Sequence, residues 1–266
     1  MDSKKQWDIT YGSGSVSGNI VTDNVVIAGL ALNKHTFGVA YRESLDFADD
    51  AIPYDGLMGL ALTVCIPLFS HAPASERVYK SLSDQNTLTP VEAMAKSGLI
   101  KEAITSYKIS RAADNLDDGE ITFGGLDETR FDGNTLVTID NVSKEGFWEA
   151  DMGTVTVDGV DLDLENRTAI LDTGTTVVLA PPKDAKMIHA AIKGAKPDGQ
   201  GGFTIPCTTT ASVTLTFGNV EFTIDPRDLA VEPVNAQDPK GRCVSGIIAD
   251  TGHSDGPKQW LVSCLI

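Results

Sequence analysis

Two aspartates follow apolar runs and open the tripeptide Asp-Thr-Gly: Asp172 in Ala169-Ile170-Leu171-Asp172-Thr173-Gly174-Thr175-Thr176, and Asp250 in Ile247-Ile248-Ala249-Asp250-Thr251-Gly252. A carboxylate at the end of a buried strand suits a general base, because backbone N–H groups and the Thr175 hydroxyl can fix its oxygens in advance. The competing reading of either tripeptide is an ordinary Asp-Gly turn. The second is followed by His253 where the first has Thr175. Two other patterns fail on inspection. Gly252-His253-Ser254-Asp255-Gly256 fits a G-x-S-x-G nucleophile elbow, but Pro257 follows at once and no histidine stands after Ser254. Gly12-Ser13-Gly14-Ser15-Val16-Ser17-Gly18 has Ser17 where a dinucleotide fingerprint needs its third glycine. His35, His71, His189 and His253 show no ligand spacing, and each reads as an ordinary surface or helix residue. Cys65, Cys207, Cys243 and Cys264 form no C-x-x-C pair, so a disulfide suits two of them better than zinc. The pairing of Cys65 and Cys264 is left open. Asn141-Val142-Ser143 and Asn166-Arg167-Thr168 are glycosylation sequons.

The elements that must carry these residues are mostly strands. Short β-branched runs bounded by Gly, Asn and Asp recur at Asn24–Gly29, Gly119–Gly125 and Ser212–Asn219, which predicts an all-β architecture. Two helices interrupt it. Thr89-Pro90-Val91-Glu92 supplies an N-cap, a first-turn proline and a capping-box glutamate, with Gly98 to close the helix. A second is expected from Pro182 to Lys193, ending at Gly194. No low-complexity linker interrupts the chain, so a lobe boundary falls within a β-rich stretch near residues 109–119.

With 266 residues, 41% of them hydrophobic, the chain can bury a substantial core in one large unit or two lobes. Its net charge of −16 leaves no basic surface for phosphates or anionic lipid, which argues against nucleic-acid and membrane partners. No run has the length of a transmembrane helix, and Met1 to Trp7 lacks the apolar core of a signal peptide.

From about Trp7 to Ile266 the chain resembles the pepsin-like aspartic proteases, on landmarks that occur in order. Ile9 to Gly18 is similar to the flap hairpin, so Tyr11, Gly12 and Ser13 are implied to close over substrate. Tyr54-Asp55-Gly56-Leu57-Met58-Gly59-Leu60-Ala61 is similar to the apolar strand threading the N-terminal lobe's catalytic loop. Gly119 to Asp127 and Gly146-Phe147-Trp148 resemble the strands leaving that lobe, and Asp172-Thr173-Gly174-Thr175 the second catalytic loop. Cys207 and Cys243 stand where the family has its C-terminal disulfide, and Trp260-Leu261-Val262 resembles the final threading strand. Loop lengths are closest to those of fungal members.

The resemblance implies a bilobal fold, with residues 1–112 a remnant of the N-terminal lobe with its flap and 113–266 the C-terminal lobe. It implies peptide hydrolysis at acid pH, polypeptide substrates or peptide ligands, pepstatin-type inhibitors, secreted or vacuolar residence, and no cofactor or metal. Asp172 becomes the catalytic residue, supported by Thr173, Gly174 and Thr175. Two departures accompany these matches. The family's first Asp-Thr-Gly loop precedes the flap and is expected to be missing here, as are strands beyond Ile266. Since the chemistry uses two carboxylates that share a proton, the second must come from Asp250, from another copy of the chain or from a separate polypeptide. By its place between Cys243 and Trp260, Asp250 is expected in a solvated turn of Asp172's own lobe. An acid endopeptidase, either of weak activity or a fragment of a longer gene product, a peptide-binding pseudoprotease and an inactive truncated product are all compatible with this reading.

Overall fold

The computed structural model describes residues 2–11, 14–49, 54–63, 87–250 and 259–262. Strands dominate it, as the turn-bounded β-branched runs predict, and the four α-helices among the described residues are short. Two compact units partition the chain, and it passes between them more than once. The first comprises Met1–Tyr107, Ile121–Arg130 and Lys144–Gly146; the second comprises Lys108–Glu120, Phe131–Ser143 and Phe147–Ile266.

In the first unit, β1 (Asp2–Tyr11), β2 (Gly14–Ile27) and β3 (Leu30–Glu43) form an antiparallel sheet in chain order. Trp7, Ile20 and Leu32 are its buried hydrophobic residues among those described. Gly38 on β3 must lack a side chain, since a Cβ there would lie 2.2 Å from the Trp7 ring. A single turn, α1 (Leu45–Ala48), follows, and then α2 (Pro90–Lys96). The cap of α2 is the one its sequence encodes: Thr89 accepts from the Glu92 N–H and Glu92 accepts from the Thr89 N–H. Glu92 also holds the Thr63 N–H at 3.1 Å, tying the helix start to the segment before it. That segment differs from expectation. Residues 54–61 form no strand, and Tyr54, Leu57 and Met58 are exposed, because no strand of the described residues offers them a ladder. A two-stranded ribbon of β4 (Thr105–Lys108) and β5 (Glu120–Phe123) follows.

The second unit is built on β6 (Glu149–Val157), β7 (Val160–Asp161), β8 (Arg167–Leu171) and β9 (Val178–Ala180). After α3 (Pro182–Ala191) come β10 (Lys196–Pro197), β11 (Phe203–Pro206), β12 (Val213–Phe217) and β13 (Val220–Ile224). A last helical turn, α4 (Pro226–Leu229), leads to β14 (Ala230–Pro233), β15 (Arg242–Ser245), β16 (Ile247–Ala249) and β17 (Gln259–Val262). Eight of these strands make one sheet in the order β13-β12-β6-β8-β17-β9-β16, with β7 beside β6. The core gathers on this sheet and α3, with Val178, Ile188, Leu215, Ile247 and Trp260 fully buried. Helix α3 ends two residues before Lys193. Ile192 turns to extended backbone (φ −79°, ψ 119°) and is buried, while Gly194 takes the positive-φ turn.

A second sheet, β10-β11-β15-β14, carries the cross-link. Cys207 and Cys243 are joined by a disulfide with Cα atoms 4.9 Å apart, the pairing the resemblance implies. The Cys207 N–H donates to the Gly241 carbonyl at 3.0 Å, continuing the β11–β15 ladder into the bond.

Candidate active site

Strand β8 delivers Asp172 from the middle of the large sheet. Its neighbours are β6, antiparallel, and β17, parallel, and both ladders run to its end. The Leu171 N–H donates to the Trp148 carbonyl at 2.8 Å and the Asp172 N–H to the Val262 carbonyl at 3.0 Å. The backbone under the carboxylate is therefore held from both sides. Beyond it the chain turns sharply through Thr173 and Gly174. The Gly174 N–H donates to Asp172 Oδ1 at 2.9 Å, and the Thr175 hydroxyl donates to Asp172 Oδ2. A Cβ on Gly174 would stand 3.2 Å from Oδ1, tighter than ordinary contact, so glycine keeps the approach open. Each carboxylate oxygen thus accepts a hydrogen bond from its own loop, and Asp172 is half-buried. Such a group is oriented for proton transfer before any substrate arrives.

Asp250, the other Asp-Thr-Gly aspartate, does not meet Asp172. Ile170 and Leu179 both pair with Leu261, which sets β8 and β9 level but antiparallel. Asp172 extends one end of that level and Asp250 the other, because β16 runs parallel to β9. At ordinary strand spacings the two are about 13 Å apart along the strands and about 14 Å across them. The expected solvated turn is also corrected: Asp250 is buried, its N–H donating to the Ala180 carbonyl at 2.8 Å. The pairing of β16 with β9 continues one residue past Ala249 and draws Asp250 inside. Thr251, Gly252, His253 and Ser254 lie outside the described residues.

The hairpin expected at residues 9–18 is formed by β1 and β2, with Tyr11 opposite Gly14. Gly12 and Ser13 lie outside the described residues. Below the tip the hairpin is braced by the residues around α1. Tyr11 and Phe47 meet edge to face with ring centres 5.4 Å apart, and the Ser15 N–H donates to Ser44 Oγ at 3.0 Å. Burial raises the Tyr11 phenol pKa above its ordinary value, which keeps the hydroxyl a donor. The hairpin and the Asp172 loop belong to different units.

Two buried polar clusters behind the large sheet were not legible in the sequence. Asp184, fully buried in the first turn of α3, receives Arg167 through Nε at 2.6 Å and Nη2 at 2.8 Å, and the Trp260 indole N–H at 3.1 Å. A helix's first turn ordinarily explains an acidic residue by the macrodipole alone. The available signal was that Asp184 lies one turn before Ile188, on the apolar stripe. His189, expected as an ordinary surface or helix residue, is buried. Its Nδ1 donates to the Ala185 carbonyl at 2.6 Å, so the neutral ring accepts the Ser245 hydroxyl at Nε2, 2.8 Å away. The ring stacks on Phe203 at 3.8 Å, and burial lowers its pKa. Cys65, Cys264 and His71 lie outside the described residues.

Known proteins are similar to this sequence over nearly its whole length. The family model for eukaryotic aspartyl protease matches residues 1–262. A probable aspartic-type endopeptidase CTSD of Trichophyton verrucosum is 36% identical over 261 residues, covering 97% of this chain and 45% of that protein. Rhizopuspepsin-1 of Rhizopus niveus is 33% identical over 92% of this chain and 57% of its own length. A probable vacuolar protease A of Arthroderma benhamiae is 31% identical over 90% of this chain and 54% of its own. The chain spans about half the length of the curated relatives it matches. Because one family pattern runs through residues 1–262 of 266, the chain belongs to the eukaryotic aspartyl proteases.

Proposed function

We propose that Asp172 is one of the two carboxylates of an aspartic-type endopeptidase that hydrolyses polypeptides at acid pH. The observation that carries this reading is the loop itself, which holds both Asp172 oxygens from within, by the Gly174 N–H and the Thr175 hydroxyl. In the reaction, one ionised carboxylate takes a proton from a water molecule as its oxygen attacks the scissile carbonyl. The partner, still protonated, gives its proton to the carbonyl oxygen, and the pair titrates as a unit. Collapse of the tetrahedral diol then transfers a proton to the departing amine. Residues 1–112 are read as the part of the N-terminal lobe that brings the flap, and 113–266 as the lobe that brings Asp172. In that reading Tyr11, Gly12 and Ser13 cover the extended peptide and pepstatin-type inhibitors compete for its place. The name of one relative, a probable vacuolar protease A, supports vacuolar residence, with secretion as the alternative.

The sequence holds one Asp-Thr-Gly-Thr, and Asp250 lies at the opposite end of its sheet. The partner carboxylate therefore belongs to a second loop of the same kind. The 266 residues assayed alone are expected to turn over an acid-unfolded protein at least ~10³-fold more slowly than a two-loop relative, as loss of one member of a cooperating set dictates. Fusing the first-loop segment of a fungal relative ahead of Met1 should restore turnover, and Asp172→Asn in that fusion should abolish it. A fusion that binds a pepstatin-type inhibitor without cutting would instead identify a peptide-binding pseudoprotease. Turnover surviving Asp172→Asn would overturn the assignment.

A further inference from the structure

The fold treats the two sequons differently. Asn141 Nδ2 donates to the Phe147 carbonyl at 2.8 Å, and its Oδ1 accepts the Ser143 N–H at 2.9 Å. The Ser143 hydroxyl in turn accepts the Phe147 N–H at 3.2 Å. Both polar side chains of this sequon therefore close the turn that leads into Trp148, whose carbonyl holds Leu171 beside Asp172. Asn166 is placed otherwise. It is exposed, with positive φ (55°), at the open end of β8, and among the described residues no hydrogen bond engages its side chain. The residues after it are fixed: Arg167 is drawn inward to Asp184, and Thr168 is paired with Asp151 on one side and Gln259 on the other. The six residues from Asn166 to Asp172 span about 20 Å of extended chain, so a bulky group on Asn166 lies far from the Asp172 loop.

We infer that the folded chain carries an N-linked glycan on Asn166 and none on Asn141. The inference rests on the secretory or vacuolar reading given above. In the transfer, the bond from the anomeric carbon of a lipid-linked oligosaccharide to its pyrophosphate oxygen breaks, and the lipid pyrophosphate leaves with the electron pair. The anomeric carbon bonds to Asn166 Nδ2, which gives one of its two protons to the departing pyrophosphate. Transfer occurs on the extended chain, so the native fold decides which glycan it can accommodate. A glycan on Asn166 projects from an open strand end. One on Asn141 competes with the turn that secures Phe147 and Trp148.

The test is to express the full chain in yeast behind a cleavable secretion leader and isolate the lumenal and secreted material in which Cys207 and Cys243 are cross-linked. Glycopeptide mapping, after trimming each glycan to its first sugar, should find that sugar on Asn166 and unmodified Asn141. Asn166→Gln and Thr168→Val should each abolish the endoglycosidase-sensitive gel shift, and Asn141→Gln should leave it. Because Thr168→Val keeps the asparagine, it separates loss of the acceptor from loss of the sequon. An unmodified Asn166 in the cross-linked wild type, or a sugar on Asn141 there, would overturn the inference. Since the leader forces entry into the lumen, either result counts against the site and leaves the natural route of the chain undecided by it.

Discussion

At Asp172 the carboxylate is held by two donors that lie two and three residues after it, so its orientation is a local property of four consecutive residues. That is why Asp-Thr-Gly-Thr could be read from sequence as a prepared carboxylate. The two donors have different consequences when removed. The Gly174 N–H survives any side-chain change, whereas the Thr175 hydroxyl does not. Thr175→Val keeps the shape and deletes a hydrogen bond to a charged group, worth about 1.5 to 3 kcal/mol. In the restored fusion it should lower kcat about 10- to 100-fold, with KM near wild type and Tm lower by several degrees. An unchanged kcat would show that the hydroxyl does not orient the base. Asp250 was legible only as a motif. Its burial and its distance from Asp172 depend on strand directions, and a tripeptide carries no information about those.

Elements were readable where their signals are contiguous. The Thr89 to Glu92 cap formed as its spacing dictates, because all its partners lie within one turn. Segment 54–61 illustrates the converse: its apolar residues fit a strand, yet a strand needs a neighbour and among the described residues none is alongside. The contact between α3 and β8 was hidden for a related reason, since Arg167 and Asp184 are separated by a loop, a strand and a turn. Asp184→Ala leaves Arg167 and the Trp260 indole without their buried acceptor, and breaking a buried pair in this way costs about 3 to 5 kcal/mol. Urea unfolding should show that loss; a change below about 1 kcal/mol would mean that water replaces the carboxylate. The disulfide closes a 36-residue separation. Replacing both cysteines by serine should cost about 3 to 4 kcal/mol on the loop-entropy relation, read by the same measurement.

For the molecule as a whole, acidity acts in two separate pH windows. Near α4, Arg227 binds Asp225 with two nitrogens and Asp114 with a third, while Arg111 binds Asp228. The Arg227 hydrogen bonds hold the Asp225 carboxyl down at about 2, against an ordinary 3.8. A depressed carboxylate stabilises the fold above its unfolded value and loses that contribution only as pH falls toward 2. Asp225 therefore stays ionised down to about that pH. His189 acts with the same sign in a higher pH window. Its pKa is lowered by burial, so the unfolded chain takes up a proton below about 6.5 while the folded chain resists it. Its contribution is complete above that value and declines as pH falls through the folded one. His189→Gln removes the titration. The Tm difference between wild type and variant should narrow from pH 7 to pH 4, and a constant difference would show that His189 titrates alike in the folded and unfolded states. Neither effect follows from the net charge of −16, which describes the surface and not these pairings.

The position of β17 bears on how the protein is made. Residues 259–262 lie between β8 and β9, with Trp260 wholly enclosed, so a strand synthesised late fills the middle of a sheet whose flanking members left the ribosome long before. Until it arrives, β8 and β9 face a gap, and the aspartate loop that depends on Val262 for one of its backbone bonds is incomplete. Closure joins segments far apart in the chain and is correspondingly slow. The half-made lobe is then a nascent chain with two unpaired strand edges, a natural client for chaperones. A protease-sensitive intermediate should persist on ribosomes stalled before residue 259 and vanish once residue 262 has cleared the exit tunnel.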